Sequence, residues 1–492
     1  MNKDITPKDV FIFFLNAGVI LLLLMAWIPE QGFTLLGRKI YFATFSDFGW
    51  GTTNLSKTPS SVTDSLQHSG APDSIAIQPA ARKKRPLLLY SGKVSPLAGF
   101  YEITTKGNPI KGTIRVIHYG DSQIENDRIS SYLRERWQSL IGGGGMGYLP
   151  ANAWIPHLSA THSNSDNWMR YTAFGRSHPD ITHRRFGPFQ SFARFTPADT
   201  ALCHSVQNAW IEVSASNRGF KNTLHYNQLK VWLGNNAMDF EIAVSQNGTL
   251  LQHFLIPPLL EKDTALLIPL NEMGSTVRLE FSARHSPDVY GISLESSTGL
   301  VLDNVPMRGA DGTSFARTDL KQLAHFFKKE KTALIILQFG GNAVPYLKDR
   351  EAAGRSAANI ARQVRLLRKL SENTPILFIG PSDMSVKVRD AFVTHPLLSD
   401  YRDSLILHIT SAGAAYYDLM EAMGGEGSMV RWVTSDPPLA ATDYIHFTPA
   451  GARLAAEKLY EILESDRMQH LKNRKRKPEP PNHTHSVNEP GI

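Results

Sequence analysis

Ile114-Arg115-Val116-Ile117-His118-Tyr119-Gly120-Asp121-Ser122-Gln123 is the stretch on which the fold turns. Ile114–Tyr119 has the length and the apolar character of a strand, and the turn residues Gly120-Asp121-Ser122 end it. A helical pattern follows, with Ile129, Leu133 and Trp137 spaced four apart. A strand that runs through a tight turn into a helix places Ser122 at the carboxyl edge of a sheet, where open α/β folds bind ligands.

Two further segments repeat that texture. Ala333–Phe339 is a buried-strand run ending in Gly340-Gly341-Asn342, with a helix pattern through Arg355–Leu370 behind it. Pro375–Ile379 is another short apolar run. Asp443-Tyr444-Ile445-His446 precedes the last amphipathic helix, where Thr448 suits the cap and Pro449 the first helical position. Alternating strands and helices predict a parallel sheet covered by helices on both faces.

Between residues 164 and 306 the texture changes. Short segments such as Ala209–Ser214, Gln228–Leu233, Asp239–Val244 and Val277–Phe281 alternate apolar with polar residues, and turns such as Gly234-Asn235 and Asn247-Gly248 separate them. That pattern predicts a β-sandwich. The expected architecture is an α/β domain over 86–163 and 307–465, interrupted by a β-sandwich over 164–306. Aromatic residues of the insert, such as Trp210, Phe220, Tyr226 and Trp232, are expected mostly in its core.

A serine hydroxyl is a weak nucleophile. It needs a base, an orienter for that base, and donors for a developing oxyanion. Ser122, His446, Asp443 and Asn342 supply those chemical types. Residues at i and i+3 on a helical turn share a face, so Asp443 can steady the His446 ring. Each fragment also has a plainer reading. Gly-Asp-Ser suits a turn with a capping serine, Gly-Gly-Asn a tight turn, and Asp443 and His446 a solvated helix entry.

Taken in order, the fragments resemble the blocks of the SGNH family of GDSL-type hydrolases: Gly120-Asp121-Ser122, then a glycine, then Gly340-Gly341-Asn342, then Asp443-Tyr444-Ile445-His446. Gln123 stands where the eponymous motif has leucine. The second block falls in Arg308-Gly309-Ala310-Asp311-Gly312, which offers two glycines, and Gly309 is taken. The resemblance implies a flavodoxin-like parallel-sheet fold, Ser122 as nucleophile, His446 as base and Asp443 as its orienter. The Ser122 and Gly309 N–H groups and the Asn342 amide would form the oxyanion hole, and neither metal nor organic cofactor is implied. The long insert, the glycine-rich Gly142–Gly147 segment and Trp432 are most similar to peptidoglycan O-acetylesterases with an inserted β-sandwich, which resembles a carbohydrate-binding module and implies a carbohydrate-binding insert over 164–306. The expectation is a serine esterase that removes acetyl or similar acyl groups from a cell-wall glycan. Two alternatives stand beside it: an acetyltransferase on a glycan using the same residues, and a glycan-binding envelope protein without catalysis.

The ends of the chain bear on location. Val10–Ile28 is a 19-residue run without charge, long enough to span a bilayer as a helix, with Trp27 at its end. It predicts a single-pass anchor in the inner (cytoplasmic) membrane, with the remainder on the extracytoplasmic side. Residues 52–85, rich in Ser, Thr, Pro and Asp, read as a flexible tether. Residues 466–492 read as a disordered basic tail, which holds much of the formal net charge of +7. Without a recognition motif that charge gives no support for nucleic-acid binding. Cys203 is the only cysteine, which excludes an intrachain disulfide.

Overall fold

The computed structural model describes residues 33–35, 38–40, 85–105, 110–260 and 262–475. Phe33–Leu35 and Arg38–Ile40 form a two-stranded antiparallel hairpin in one unit. The rest lies in a second unit. The run 10–28 expected to form the anchor, residues 52–84 of the expected tether, and residues 476–492 fall outside the described residues. Among the described residues no helix is long and apolar enough to cross a membrane.

The second unit is built on a six-stranded sheet. Its strands are β1 (Leu88–Leu89), β2 (Thr113–Gly120), β3 (Gly299–Pro306), β4 (Thr332–Gln338), β5 (Ile376–Ile379) and β6 (Ala415–Tyr417). They lie in the order β3-β2-β4-β5-β6-β1, all parallel except β1, which pairs antiparallel with β6. Helices α1 (Ala98–Ile103), α2 (Ser130–Ile141), α3 (Leu320–Lys329), α4 (Arg350–Leu370), α5 (Leu398–Ser411), α6 (Leu419–Met423), α7 (Ser428–Val433) and α8 (Pro449–Lys475) complete the domain.

Period-two alternation explains why the strands read as unbroken apolar runs. Ile117, Ile335 and Leu337 pack with Phe326 of α3, Val364 of α4 and Leu405 of α5. Val116, Leu334 and Ile336 pack on the other face with Trp137 of α2 and Leu459 of α8. A sheet buried on both faces leaves no polar side to alternate.

Two antiparallel sheets interrupt this unit between α2 and β3. One contains Asp263–Pro269, Gln228–Gly234, Asp288–Glu295, Ser191–Arg194 and Met169–Thr172, with Gly145–Leu149 added on Asp288–Glu295. The other contains Thr249–Ile256, Phe240–Gln246, Val277–Ala283, Gln207–Ala215 and Ala160–Asn164. Val231, Leu233 and Ile292 of the first sheet meet Ile211, Ile242 and Leu279 of the second in one apolar core.

The boundaries differ from those expected. The antiparallel sheets recruit Gly145–Leu149 and Ala160–Asn164, ahead of residue 164. Gly299–Pro306, expected inside the insert, is an edge strand of the parallel sheet, paired parallel with β2. Only Ser296–Thr298 separate it from the preceding antiparallel strand, so nothing in the texture marks the change. Gly147 marks the crossing between the two parts: a Cβ there would lie 2.5 Å from the carbonyl oxygen of Leu302 in β3.

The basic tail is a second correction. Helix α8 runs through residues 466–475, which composition assigns to disorder. The Asp466 carboxylate accepts from Ser95 Oγ (2.7 Å), Tyr101 Oη (2.9 Å) and Tyr90 Oη (3.2 Å), which ties the helix to the segment before β2. Arg467, paired with Glu464, is buried as well.

Candidate functional site

The carboxyl ends of β2, β4 and β5 converge on one small cavity of about 190 Å³. Ser122, Asn342 and His446 line it, with Phe339, Pro345, Pro381 and Met384 as apolar walls.

Asp121 follows β2 and caps the 3₁₀ turn that starts at Ser122, its Oδ1 accepting from Gln123 N at 3.0 Å. The cap turns Ser122 out of the strand. Its Oγ lies 2.8 Å from His446 Nε2, although 324 residues separate the two. His446 Nδ1 lies 2.7 Å from Asp443 Oδ2. A carboxylate only accepts, so Nδ1 carries the proton, and Nε2 is free to accept from the Ser122 hydroxyl. The other Asp443 oxygen accepts from the Ile445 and His446 backbone N–H groups at 2.9 and 3.0 Å. Partial burial would raise this carboxyl, but the bonds from the His446 backbone and ring and from Ile445 outweigh it and hold it below its ordinary value.

Asn342 follows Gly340 in the turn after β4, and its Nδ2 donates to the Ala310 carbonyl at 3.0 Å. That bond joins Asn342 to the loop after β3. Gly309 is in this loop, in the left-handed region at φ 75°, but is not among the residues lining the cavity. The structure therefore brings Ser122, His446, Asp443 and Asn342 together and sets Gly309 on the adjoining loop. Gly312 packs against the Phe339 ring instead.

Several residues beyond the predicted site residues hold this arrangement. Gln123 Nε2 donates to the Ile445 carbonyl at 2.7 Å, so the position that departs from the family motif fastens the serine turn to the histidine loop. Arg128 donates to the carbonyls of Ser122 (2.8 Å), Phe447 (2.9 Å) and Glu125 (2.9 Å). Arg308 makes two 2.6 Å bonds to the Glu125 carboxylate and joins the loop after β3 to the serine turn. Tyr444 sits at φ 59° with its ring stacked on Phe392 at 3.7 Å. Gln123 had a local signal, its place next to Ser122. Arg128 had none, because its partners are backbone carbonyls, which no side-chain pattern marks, and one of them, Phe447, is 319 residues away.

No protein-family model matches the chain, and no curated protein matches it. Among solved structures, a peptidoglycan O-acetylesterase aligns over 78% of this chain and 100% of its own, with 20% identity and a TM-score of 0.61. A family two carbohydrate esterase from Clostridium thermocellum, in complex with cellohexaose, aligns over 61% of this chain and 98% of its own, with 10% identity and a TM-score of 0.23. A salicylyl-acyltransferase from a tetracycline biosynthetic pathway aligns over 63% and 95%, with 12% identity and a TM-score of 0.27. The last two are too loose to bear on the argument. The first establishes the fold: this chain is built like that esterase, as a mixed α/β unit around a parallel sheet.

Proposed function

We infer that the protein is a serine esterase that removes acetyl or similar small acyl groups from a hydroxyl of a cell-wall glycan. The observation that carries this reading is the continuous path from Asp443 through His446 to Ser122, at 2.7 and 2.8 Å, opening into an apolar cavity of about 190 Å³. A cavity of that size suits a two-carbon acyl group better than a long chain.

In the first step Ser122 Oγ attacks the ester carbonyl while His446 Nε2 takes its proton. The carbonyl oxygen becomes an oxyanion, for which the Ser122 N–H and the second N–H of the Asn342 amide are the nearest donors in kind. His446 then returns the proton to the leaving sugar oxygen, and the acyl group stays on Ser122. Water, deprotonated by the same imidazole, attacks the acyl-enzyme, releasing acetate and restoring Ser122. Gly309 is proposed as a further oxyanion donor, from the family resemblance alone. The glycan and its acetyl group are read from the resemblance and from the fold shared with a peptidoglycan O-acetylesterase.

The test uses purified protein and an acetylated wall polymer, with Ser122→Ala as control. Acetate release that falls to background in the variant is expected. Equal release by both proteins excludes Ser122 from the reaction, and transfer of acetate to an added glycan without release supports the transferase alternative. We further propose that the run 10–28 anchors the protein in the inner membrane with the esterase outside the cytoplasm. Retention in the membrane fraction after a carbonate wash is expected, and release by the wash contradicts it.

A further inference from the structure

A second cavity, of about 320 Å³, opens between the inserted sheets and the loops that carry the serine turn. Glu125, Asn126, Arg308, Trp154, His157, His162 and Arg170 are among the residues that line it. Trp154 is 63% exposed, unusual for so large an apolar side chain, and the Arg170 guanidinium lies 5.3 Å from its ring centre. A larger cavity of about 860 Å³ shares Trp154, Arg170, Thr172 and Arg176 with the first, so the two form one cleft.

Charge in this cleft is one-sided. The only carboxylate lining either cavity, Glu125, is occupied by Arg308 through two 2.6 Å bonds. Arg170, Arg176, Arg184 and Arg317 line the larger cavity, and none of them pairs with a carboxylate among the described residues.

The cleft also holds polar atoms that nothing in the chain satisfies. Arg170 Nε, His157 Nε2, Asn126 Oδ1 and both ring nitrogens of His162 are buried without a hydrogen-bond partner. His157 Nδ1 accepts from Ser159 N at 3.2 Å, so its Nε2 carries the proton and is a donor without an acceptor. The Asp127 carboxylate, at 3.8 Å, is too far to take it. Burial, reinforced by neighbouring His157, pushes the His162 ring down to about 4, so it meets a ligand neutral, with one donor and one acceptor. Buried polar groups are normally paired, so a cluster of unpaired ones beside a cavity sets this wall apart from an ordinary packed interior.

We propose that this cleft binds an acidic saccharide, one sugar ring lying against Trp154 and a carboxylate meeting Arg170 and Arg176. The apolar C–H face of a pyranose complements an indole, and a planar carboxylate matches a guanidinium. The volumes of the paired cavities have room for several sugar units of a polymer rather than one. As a substrate subsite the cleft rests on the esterase reading. As a binding site it stands without it.

Binding can be measured apart from turnover. Ser122→Ala protein is titrated calorimetrically with trigalacturonate and with neutral chitotriose. Trigalacturonate is expected to bind at least about tenfold more tightly. Adding Trp154→Ala should abolish that binding. Adding Arg176→Gln, at a side chain with no hydrogen-bond partner among the described residues, should remove the preference for the acid while the melting temperature stays unchanged. No binding of trigalacturonate, equal affinity for both trimers, or unaltered binding after Trp154→Ala overturns the proposal. In the otherwise unmodified chain, Trp154→Ala should hydrolyse a small acetyl ester at the parent rate. An inactive parent would contradict the esterase reading and leave the binding result intact.

Discussion

Asp443 acts on His446 in two ways, through the ring and through the backbone of the loop that presents it. Replacing it with asparagine keeps the shape but allows the amide to donate to Nδ1, which favours the wrong tautomer. The Asp443 and His446 side chains are 46% and 36% exposed, so water weakens the field between them. Asp443→Asn is therefore expected to lower kcat by roughly 10²–10³-fold, less than a fully buried orienter would. Unchanged kcat would remove Asp443 from the mechanism. Asp121 behaves differently. Burial, opposed by the Gln123 amide and by His446, pushes its carboxyl up to about 6 from an ordinary 3.8. Between those values the folded chain holds a proton that the unfolded chain has released, so stability falls as pH rises through the window. The shift corresponds to about 3 kcal/mol at most. Asp121→Asn keeps an oxygen for the Gln123 N–H and carries no charge, so it should raise the melting temperature at pH 7 more than at pH 4. An equal effect at both would contradict the assignment. The polar residues that meet at Ser122 were legible because each lies in a short motif. The Glu125–Arg308 pair and the Arg128 bond to the Phe447 carbonyl were not, since only the folded loops bring those partners near.

Helix α8 carries the histidine loop at its entrance. Thr448 caps it, with Oγ1 accepting from Gly451 N at 3.2 Å, and its own hydroxyl donates to the Pro438 carbonyl at 2.7 Å. Thr448 and Pro449 announced this start in the sequence, because cap chemistry is local. Gly451 did not announce its role. A Cβ there would fall 1.8 Å from the Leu439 carbonyl oxygen, a backbone atom that cannot swing away. Gly451→Ala should therefore destabilise the protein by about 3 kcal/mol or more and lower activity by displacing His446. A urea midpoint equal to the parent's would show that the close approach is relaxed in solution. The far end of α8 was misread for a related reason. Composition sees basic residues after Arg467, whereas the Asp466 bonds to Ser95, Tyr90 and Tyr101 come from a segment some 370 residues earlier.

At the scale of the molecule, a buried ionic cluster joins the parallel sheet to the inserted sheets. Arg115 of β2 reaches Asp303 of β3 at 2.7 Å and Glu295 of the insert at 2.5 Å, and Glu330 after α3 accepts from Lys230 of the insert at 2.6 Å. Arg115→Met leaves these carboxylates buried without their main cation, an expected loss of about 3–5 kcal/mol in denaturant unfolding. The insert and the parallel sheet should unfold in a single calorimetric transition in the parent. A small loss from the variant, with two transitions in the parent, would mean that the two parts are independent. The alternation of strands and helices was readable from the chain, and so was the change of texture near residue 164. The edges of the insert were not, because a strand buried in a parallel sheet and one buried in an antiparallel sheet look alike when three residues separate them.

The central claim is that Ser122 is a nucleophile activated by His446. A fluorophosphonate probe, which reacts only with an activated serine, tests it most directly by intact mass and peptide mapping. One adduct per chain on the peptide containing Ser122, absent from Ser122→Ala and strongly slowed in His446→Ala, is the predicted result. An unmodified chain, or an adduct that survives Ser122→Ala, would contradict it.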